Sequence, residues 1–333
     1  MFRNEDKGEG PNKRLLPPFV QYIEWLRLSC LSVFLFISGI YMPIIGLAVA
    51  LMAPVPISLI GVRQGTYKAF LAVAFVAAML FLPFGAAGAA SFIFGAGFLG
   101  FVFALAVRKT NSAGEAIFGL IAAALISKLM FMGFTMYTDG INPFTLNENA
   151  VSSIMKSINA SAASEDIFQK IAQQLSLMTP SFLIMASGLD ALVTYFLVSK
   201  IESRRQKINA ASSGAAAIEP IHPLPPFGQW SFPRSLLAAF FTAFFITLFD
   251  ASGSSRILLS AEVNLKVLTS VMFFIQGLGF VWCWMLHRNF SHWARLAILF
   301  ILLFIPVFSM GLIIIGIIDI TVNLREKIRR VNK

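Results

Sequence analysis

Long apolar runs, each near the length of a membrane-crossing helix, constrain this chain more than any other feature. A helix needs roughly 20 apolar residues to cross the hydrocarbon of a bilayer. Nine stretches approach that length, at about 22–41, 43–62, 66–83, 88–107, 114–136, 180–199, 234–250, 264–286 and 295–318. Most are apolar on every face, as lipid-embedded helices are. Polar and apolar residues do not alternate over any useful length, so a β-barrel is excluded. Helices are then the remaining way to satisfy the backbone in lipid. The expected fold is all-α, a polytopic transmembrane helical bundle of eight or nine spans.

Composition excludes the other classes. Charged residues make up 13% of the chain, against about 25% in a soluble domain, and the mean hydropathy is +0.78. Thirty-four Phe against five Tyr place the aromatic surface in hydrocarbon rather than water. Two Cys give no disulfide framework. Residues 1–21 mix acids and bases (Arg3, Glu5, Asp6, Lys7, Glu9, Lys13, Arg14). They are too polar for a signal-peptide core, and the run after them lacks a small-residue cleavage site, so it reads as a retained span. No lipidation motif is present.

Lys and Arg set the orientation. Arg63 and Lys68 follow the second run, and Arg108 and Lys109 follow the fourth. Lys200, Arg204, Arg205, Lys207 and Arg234 flank the loop after the sixth, and Arg288 and Arg295 follow the eighth. The intervening loops are neutral or acidic. This alternation puts the basic loops and the N-terminal tail in the cytoplasm. The net charge of +10 is therefore topological, scattered over short loops, and no nucleic acid is implied. The basic tail 323–333, with Arg325, Lys327, Arg329, Arg330 and Lys333, also belongs inside. Nine crossings would put it outside. Either the last run turns back near Pro306, or an early run fails to cross, with Pro54 and Pro56 as the interruption. The first alternative keeps both termini inside and is preferred.

The organisation expected is a tail at 1–21, a six-span bundle over 22–200, a linker at 201–233, and C-terminal membrane helices over 234–322. Within the bundle, 138–179 is an extracytoplasmic insertion. In it Val151, Ile154, Met155 and Ile158, then Phe168, Ile171, Leu175 and Met178, recur at helical spacing. They suggest amphipathic helices on the outer membrane surface or capping the bundle, either as a plain packed lid or as a gate. The linker is basic, then Ala/Ser-rich, then Pro-rich at His222-Pro223-Leu224-Pro225-Pro226.

Catalytic signatures are missing, and no enzyme, cofactor or metal is expected. Gly95-Ala96-Gly97-Phe98-Leu99-Gly100 matches GxGxxG in letters only, because it lies inside an apolar run with no strand before it. Gly95, Gly97 and Gly100 instead make a small helix face for close packing in lipid. His287 and His292 are badly spaced for one metal, His222 lies in the linker, and Cys30 and Cys283 have no Cys neighbour. Intramembrane polar residues are the pointers that remain. Lys128 falls mid-span in the fifth run and Asp190 in the sixth. Each costs about 2.5–3.5 kcal/mol on insertion scales, so each should face protein or water. They are expected to form an ion pair or share a polar cavity. Gln276 in the eighth run is a third candidate, and Glu115 favours the positive end of its helix.

Several ordered motifs carry a resemblance. They are Pro54-Val55-Pro56 before Gly61-Val62-Arg63-Gln64-Gly65, and Pro225-Pro226-Phe227 with Trp230 and Pro233. Asn264 with Phe274-Ile275-Gln276-Gly277 follows, then Gly316-Ile317-Ile318-Asp319 with Leu324-Arg325. Their order and spacing resemble the YybS-like family of bacterial polytopic membrane proteins, a family defined by its membrane character rather than by an activity. The first half is also distantly similar to substrate-binding components of energy-coupling-factor transporters and to MreD-type rod-shape proteins, an analogy at fold level only. The resemblance implies roles for Pro54, Pro56, Arg63, Gly65, Asp319 and Arg325. The two prolines would break a helix and free carbonyls toward a cavity. Arg63 would anchor that helix at the cytoplasmic interface. Asp319 and Arg325 are too far apart for an i,i+4 pair and would meet across a bend.

Two function classes follow. One is a solute-binding or transport subunit that takes a small molecule at Pro54, Pro56, Arg63, Lys128, Asp190 or Gln276 and relies on a partner for ATP. The other is a non-catalytic membrane scaffold that docks cell-envelope or signalling proteins. A closed polar cavity favours the first, and a tightly filled bundle the second. Membrane lipids are partners in both.

Overall fold

A computed structural model describes residues 18–42, 45–140, 162–213, 221–249 and 256–330. Among them every regular element is helical. The order is α1 (Pro18–Tyr41), α2 (Gly46–Ala50), α3 (Pro54–Gln64), α4 (Thr66–Phe92), a π-helical turn (Ile93–Gly97), α5 (Phe98–Lys109), α6 (Ala113–Asp139), α7 (Ala162–Ser213), a short 3-10 turn (Phe227–Gln229), α8 (Ser235–Phe249), α9 (Arg256–His287), α10 (His292–Phe304), α11 (Pro306–Val322) and α12 (Leu324–Arg330).

Each apolar run falls on a helix. By length and composition six helices qualify, or seven when the bent pair α10 and α11 counts as one, against the eight or nine expected. Two features explain the difference. Residues 66–109 form one helical stretch of 44 residues rather than two separated spans. Ser235–Leu248 is apolar but short, about 21 Å at 1.5 Å per residue against roughly 30 Å of hydrocarbon.

The 44-residue stretch is nevertheless folded back on itself. The rings of Phe70 and Phe101 lie 6.2 Å apart, a distance that a straight helix forbids at that separation. The reversal sits at Gly85, whose backbone takes φ +64° and ψ −160°, a conformation open to glycine and costly for residues with a Cβ. Pro83 lies two residues earlier and removes a helical N–H.

The chain divides into two compact units, residues 1–131 with 190–222, and 132–189 with 223–333. In the first, α3 is central, and Pro54 through Gly61 are all buried. Ile57 and Ile60 pack with Ala69, Ala72, Val76 and Leu80 of α4 and with Phe92. Small residues allow this closeness. A Cβ on Gly100 would come within 2.8 Å of Ile57 Cβ and of the Pro54 carbonyl, and one on Gly97 within 2.9 Å of Val73. Gly95 is different. Nothing approaches its Cβ position, and its φ −91°, ψ −105° opens the π-turn. It bends the helix rather than making the packing contact expected of it. At the start of α6, Ser112 Oγ accepts from Glu115 N and a Glu115 carboxylate oxygen accepts from Asn111 N. This reciprocal cap of the Ser-x-x-Glu type explains the position of Glu115.

The second unit is built on α9. Leu236, Phe273 and Ile320 form its core, with Phe240, Met272 and Ile317 against them. A Cβ on Gly316 would collide with the Phe273 carbonyl, and one on Gly277 with the Leu312 backbone. The backbones of α9 and α11 are thus in direct contact. At Ile305–Pro306 the axis turns by 103° between α10 and α11, because Pro306 cannot continue the helix before it.

Two expectations about segments are revised. Residues 201–213, expected in the linker, continue α7. Residues 162–179, expected as part of a separate insertion, join the same helix through Pro180. The rest of that insertion, 141–161, and the linker centre, 214–220, lie outside the described residues.

Candidate functional site

Arg63 closes the C-terminal turn of α3, and its side chain is only 12% exposed. Its Nη1 donates to Glu24 Oε1 of α1 at 2.6 Å, and its Nε donates to Glu202 Oε2 of α7 at 2.9 Å. Arg205 adds a second, longer pair of contacts to the same two carboxylates, at 3.9 and 3.8 Å. The expected anchor is therefore a four-residue ion network joining three helices. Neighbouring side chains add further bonds. Lys68 Nζ donates to Gln21 Oε1, Gln64 Nε2 to the Gln21 carbonyl, and Trp25 Nε1 to the Lys68 carbonyl. Arg108 donates to the Gly61 carbonyl at 3.2 Å, an acceptor it shares with Gly65 N at 3.1 Å. Gly65 makes the turn into α4 with φ +107°, which side chains with a Cβ rarely adopt.

Pro54 and Pro56 sit in the fully buried part of α3, and the carbonyls beside them have partners. The Ala53 carbonyl accepts from Ser32 Oγ at 3.0 Å and the Pro54 carbonyl from Ser58 Oγ at 2.9 Å. The carbonyls that the two prolines leave without an i+4 donor, those of Ala50 and Met52, accept instead from Ala53 N and Val55 N, each at 3.1 Å, and Gly100 brings α5 against the Pro54 carbonyl.

Lys128 of α6 and Asp190 of α7 meet, with Lys128 Nζ donating to Asp190 Oδ2. Their side chains stay 26% and 24% exposed, so the pair is not sealed by protein.

The densest polar site lies in the second unit. Gln276 Nε2 donates to Asp319 Oδ2 at 2.6 Å, while Gln276 Oε1 accepts from Phe232 N at 3.1 Å. Arg325 Nε sits 2.8 Å from Asp319 Oδ2. Arg325 Nη1 donates to the Gly228 carbonyl at 3.0 Å and to the Trp230 carbonyl, and Nη2 to the Gln276 carbonyl at 2.8 Å. Asp319, Gln276 and Arg325 are all buried. The bend that brings them together is Asn323, in the left-handed region at φ 51°, ψ 54°. Asn tolerates that region better than most residues. One Gln, one Asp and one Arg thereby fix three backbone positions of the 228–232 loop to α9, α11 and α12.

Sequence reasoning missed some participants. Glu24 and Glu202 were not singled out and Arg205 counted only toward orientation, although acids in a strongly basic flank are a signal for a paired network. Asn264 was noted only as part of a resemblance. It accepts from Ser181 N at 2.8 Å and donates to the Leu177 carbonyl at 2.7 Å, which ties α9 to the helix around Pro180. Nothing in its spacing reveals that role.

Comparison with known proteins follows the same lines. A family model described as a predicted membrane protein (DUF2232) matches residues 30–320. Uncharacterized protein YybS of Bacillus subtilis (strain 168) is 21% identical over 208 residues, 61% of this chain and 63% of that relative. The match thus spans less than two thirds of the relative's length. No solved structure matches the chain.

Proposed function

The chain belongs to the DUF2232 family of predicted membrane proteins, and on that premise we propose that it is a non-catalytic scaffold of the bacterial cytoplasmic membrane. It holds a proline-rich loop in one conformation at the cytoplasmic face for a protein partner. The observation that carries this reading is the grip of Arg325, Asp319 and Gln276 on Gly228, Trp230 and Phe232. Burying an ion pair is a poor way to gain stability, and its best-attested use is to specify one arrangement. Here the arrangement specified is that of a loop. Pro223, Pro225 and Pro226 are exposed beside the grip. Pro226 has φ −53° and ψ 142°, close to the extended conformation that proline-recognising grooves accept.

The topology that suits this reading has eight crossings. The two arms of Thr66–Lys109 count separately, α8 and α9 make a short and a long crossing, and α10 with α11 enters and returns. Both termini and the loops carrying Arg63, Arg108, Arg205, Arg234, Arg288 and Arg325 are then cytoplasmic, which resolves the parity conflict.

A second reading, a solute-binding or transport subunit without its own ATPase, draws support from the partial exposure of Lys128 and Asp190. Native mass spectrometry of the protein, extracted in mild detergent from its own host, separates the two. The scaffold reading expects a retained protein partner and no small ligand. A retained small molecule, released by Asp190→Asn or Lys128→Ala, overturns it in favour of the transport reading.

A further inference from the structure

We propose that the outer face of α1 binds one anionic phospholipid, its headgroup on Arg27 and an acyl chain along Leu28, Leu31 and Phe34. This inference goes beyond the scaffold reading and does not depend on it. A groove of about 640 Å³ opens on that face, lined by these four residues, Cys30 and the Glu24–Arg63 pair. Glu24, Arg27, Leu28, Leu31 and Phe34 follow each other at helical spacing. They make one stripe about 15 Å long at 1.5 Å per residue. One end of the stripe is charged and the other is apolar, with Leu31 and Phe34 well exposed.

Charge decides the occupant. Arg63 and Arg205 lie against Glu24 and Glu202, so two guanidinium groups answer two carboxylates. Arg27 is exposed and makes no hydrogen bond or ion pair among the described residues. The groove therefore offers one unanswered positive charge. A phosphate with no ammonium beside it completes that charge. The headgroup of phosphatidylethanolamine brings an amine for which Glu24 has no free role, since Arg63 already holds it at 2.6 Å.

Depth agrees with a headgroup. Tyr22 and Trp25 stand five and two residues before Arg27, and Lys68 Nζ lies 5.7 Å from the Tyr22 ring centre. Such aromatic residues mark the boundary between headgroups and chains. An arginine one step further in reaches back to the phosphate level while its stem lies on apolar surface.

The test uses the full-length protein, delipidated in mild detergent and titrated with phosphatidylglycerol or phosphatidylethanolamine of identical chains. Bound lipid is read by native mass spectrometry. Phosphatidylglycerol is expected to bind about fivefold tighter, the factor that one cation contributes at an anionic membrane surface. Arg27→Gln should reduce phosphatidylglycerol to the phosphatidylethanolamine level. Leu31→Trp keeps the charge but fills the groove, and should weaken both lipids. Thermal unfolding without lipid checks that each variant is folded. Equal binding of the two lipids overturns the proposal, as does an Arg27→Gln protein that retains phosphatidylglycerol like the parent. A second copy of the chain or a partner protein held in the groove and not displaced by lipid also overturns it.

Discussion

Arg325 Nε lies 2.8 Å from Asp319 Oδ2, although the two residues are six positions apart with helix on either side of the break between them. Left-handed Asn323 turns the chain so that Arg325 N also points at Asp319 Oδ1, at 3.4 Å. The carboxylate thus accepts from Arg325 N and Gln276 Nε2 and is ion-paired with the Arg325 guanidinium.

Removing one member of this set leaves a buried charge without its partner. Asp319→Asn or Arg325→Gln should destabilise the protein by about 3–5 kcal/mol. Thermal unfolding in detergent reads the loss, and limited proteolysis should show earlier cleavage within 221–232. The apolar pair Asp319→Leu with Arg325→Met should unfold later than either single variant yet leave the loop cleavable. Loop protection that survives in the double variant would mean the ion pair does not hold the loop.

Glycine contacts give a sharp internal contrast on α11. A Cβ at Gly316 meets the Phe273 carbonyl, whereas nothing lies within 4 Å of one at Gly311. Gly316→Ala should cost about 1–3 kcal/mol through forced separation of α9 and α11. Gly311→Ala should be neutral or slightly stabilising, since alanine suits a helix better than glycine. Unfolding temperatures of the two variants side by side check this.

Lys128 and Asp190 should behave as a coupled pair. Lys128→Ala leaves a carboxylate alone in a span, at a cost of about 2.5–3.5 kcal/mol on insertion scales, and membrane yield should fall. The double variant Lys128→Ala with Asp190→Ala should recover most of that yield. Additive losses in the double variant would show that the contact has no energetic weight.

Topology is checked by labelling single cysteines from outside in a chain with Cys30 and Cys283 replaced. Cysteines at 110 and 229 should be protected in intact cells, and one at 140 should be labelled. Labelling at 229 would remove the eight-crossing arrangement.

The helical character and the charges Lys128 and Asp190 were legible from the sequence, because apolar length and isolated charges in lipid are strong signals. The reversal at Gly85 was legible as the break between the runs 66–83 and 88–107. The helical backbone that continues almost unbroken through it was not, because it depends on one glycine torsion. Arg63 and Arg325 were legible as residues that must be anchored, but their partners were not. Glu24 and Glu202 are 178 positions apart in the chain, and the acceptors of Arg325 in the loop are backbone carbonyls, which carry no side-chain signature. Pro54 and Pro56 were read as opening a cavity. Gly100 lets α5 close against the Pro54 carbonyl and Ile57 instead, a pairing between distant segments that spacing does not reveal.

The most direct test of the fixed-loop account is photo-crosslinking from Gln229 in membranes of the native host, with Arg325→Gln and Gly140 positions as comparisons. The account predicts one discrete protein adduct from 229, lost when Arg325→Gln releases the loop, and no such adduct from 140. An adduct that persists unchanged in Arg325→Gln, or no protein adduct from 229 at all, would contradict it.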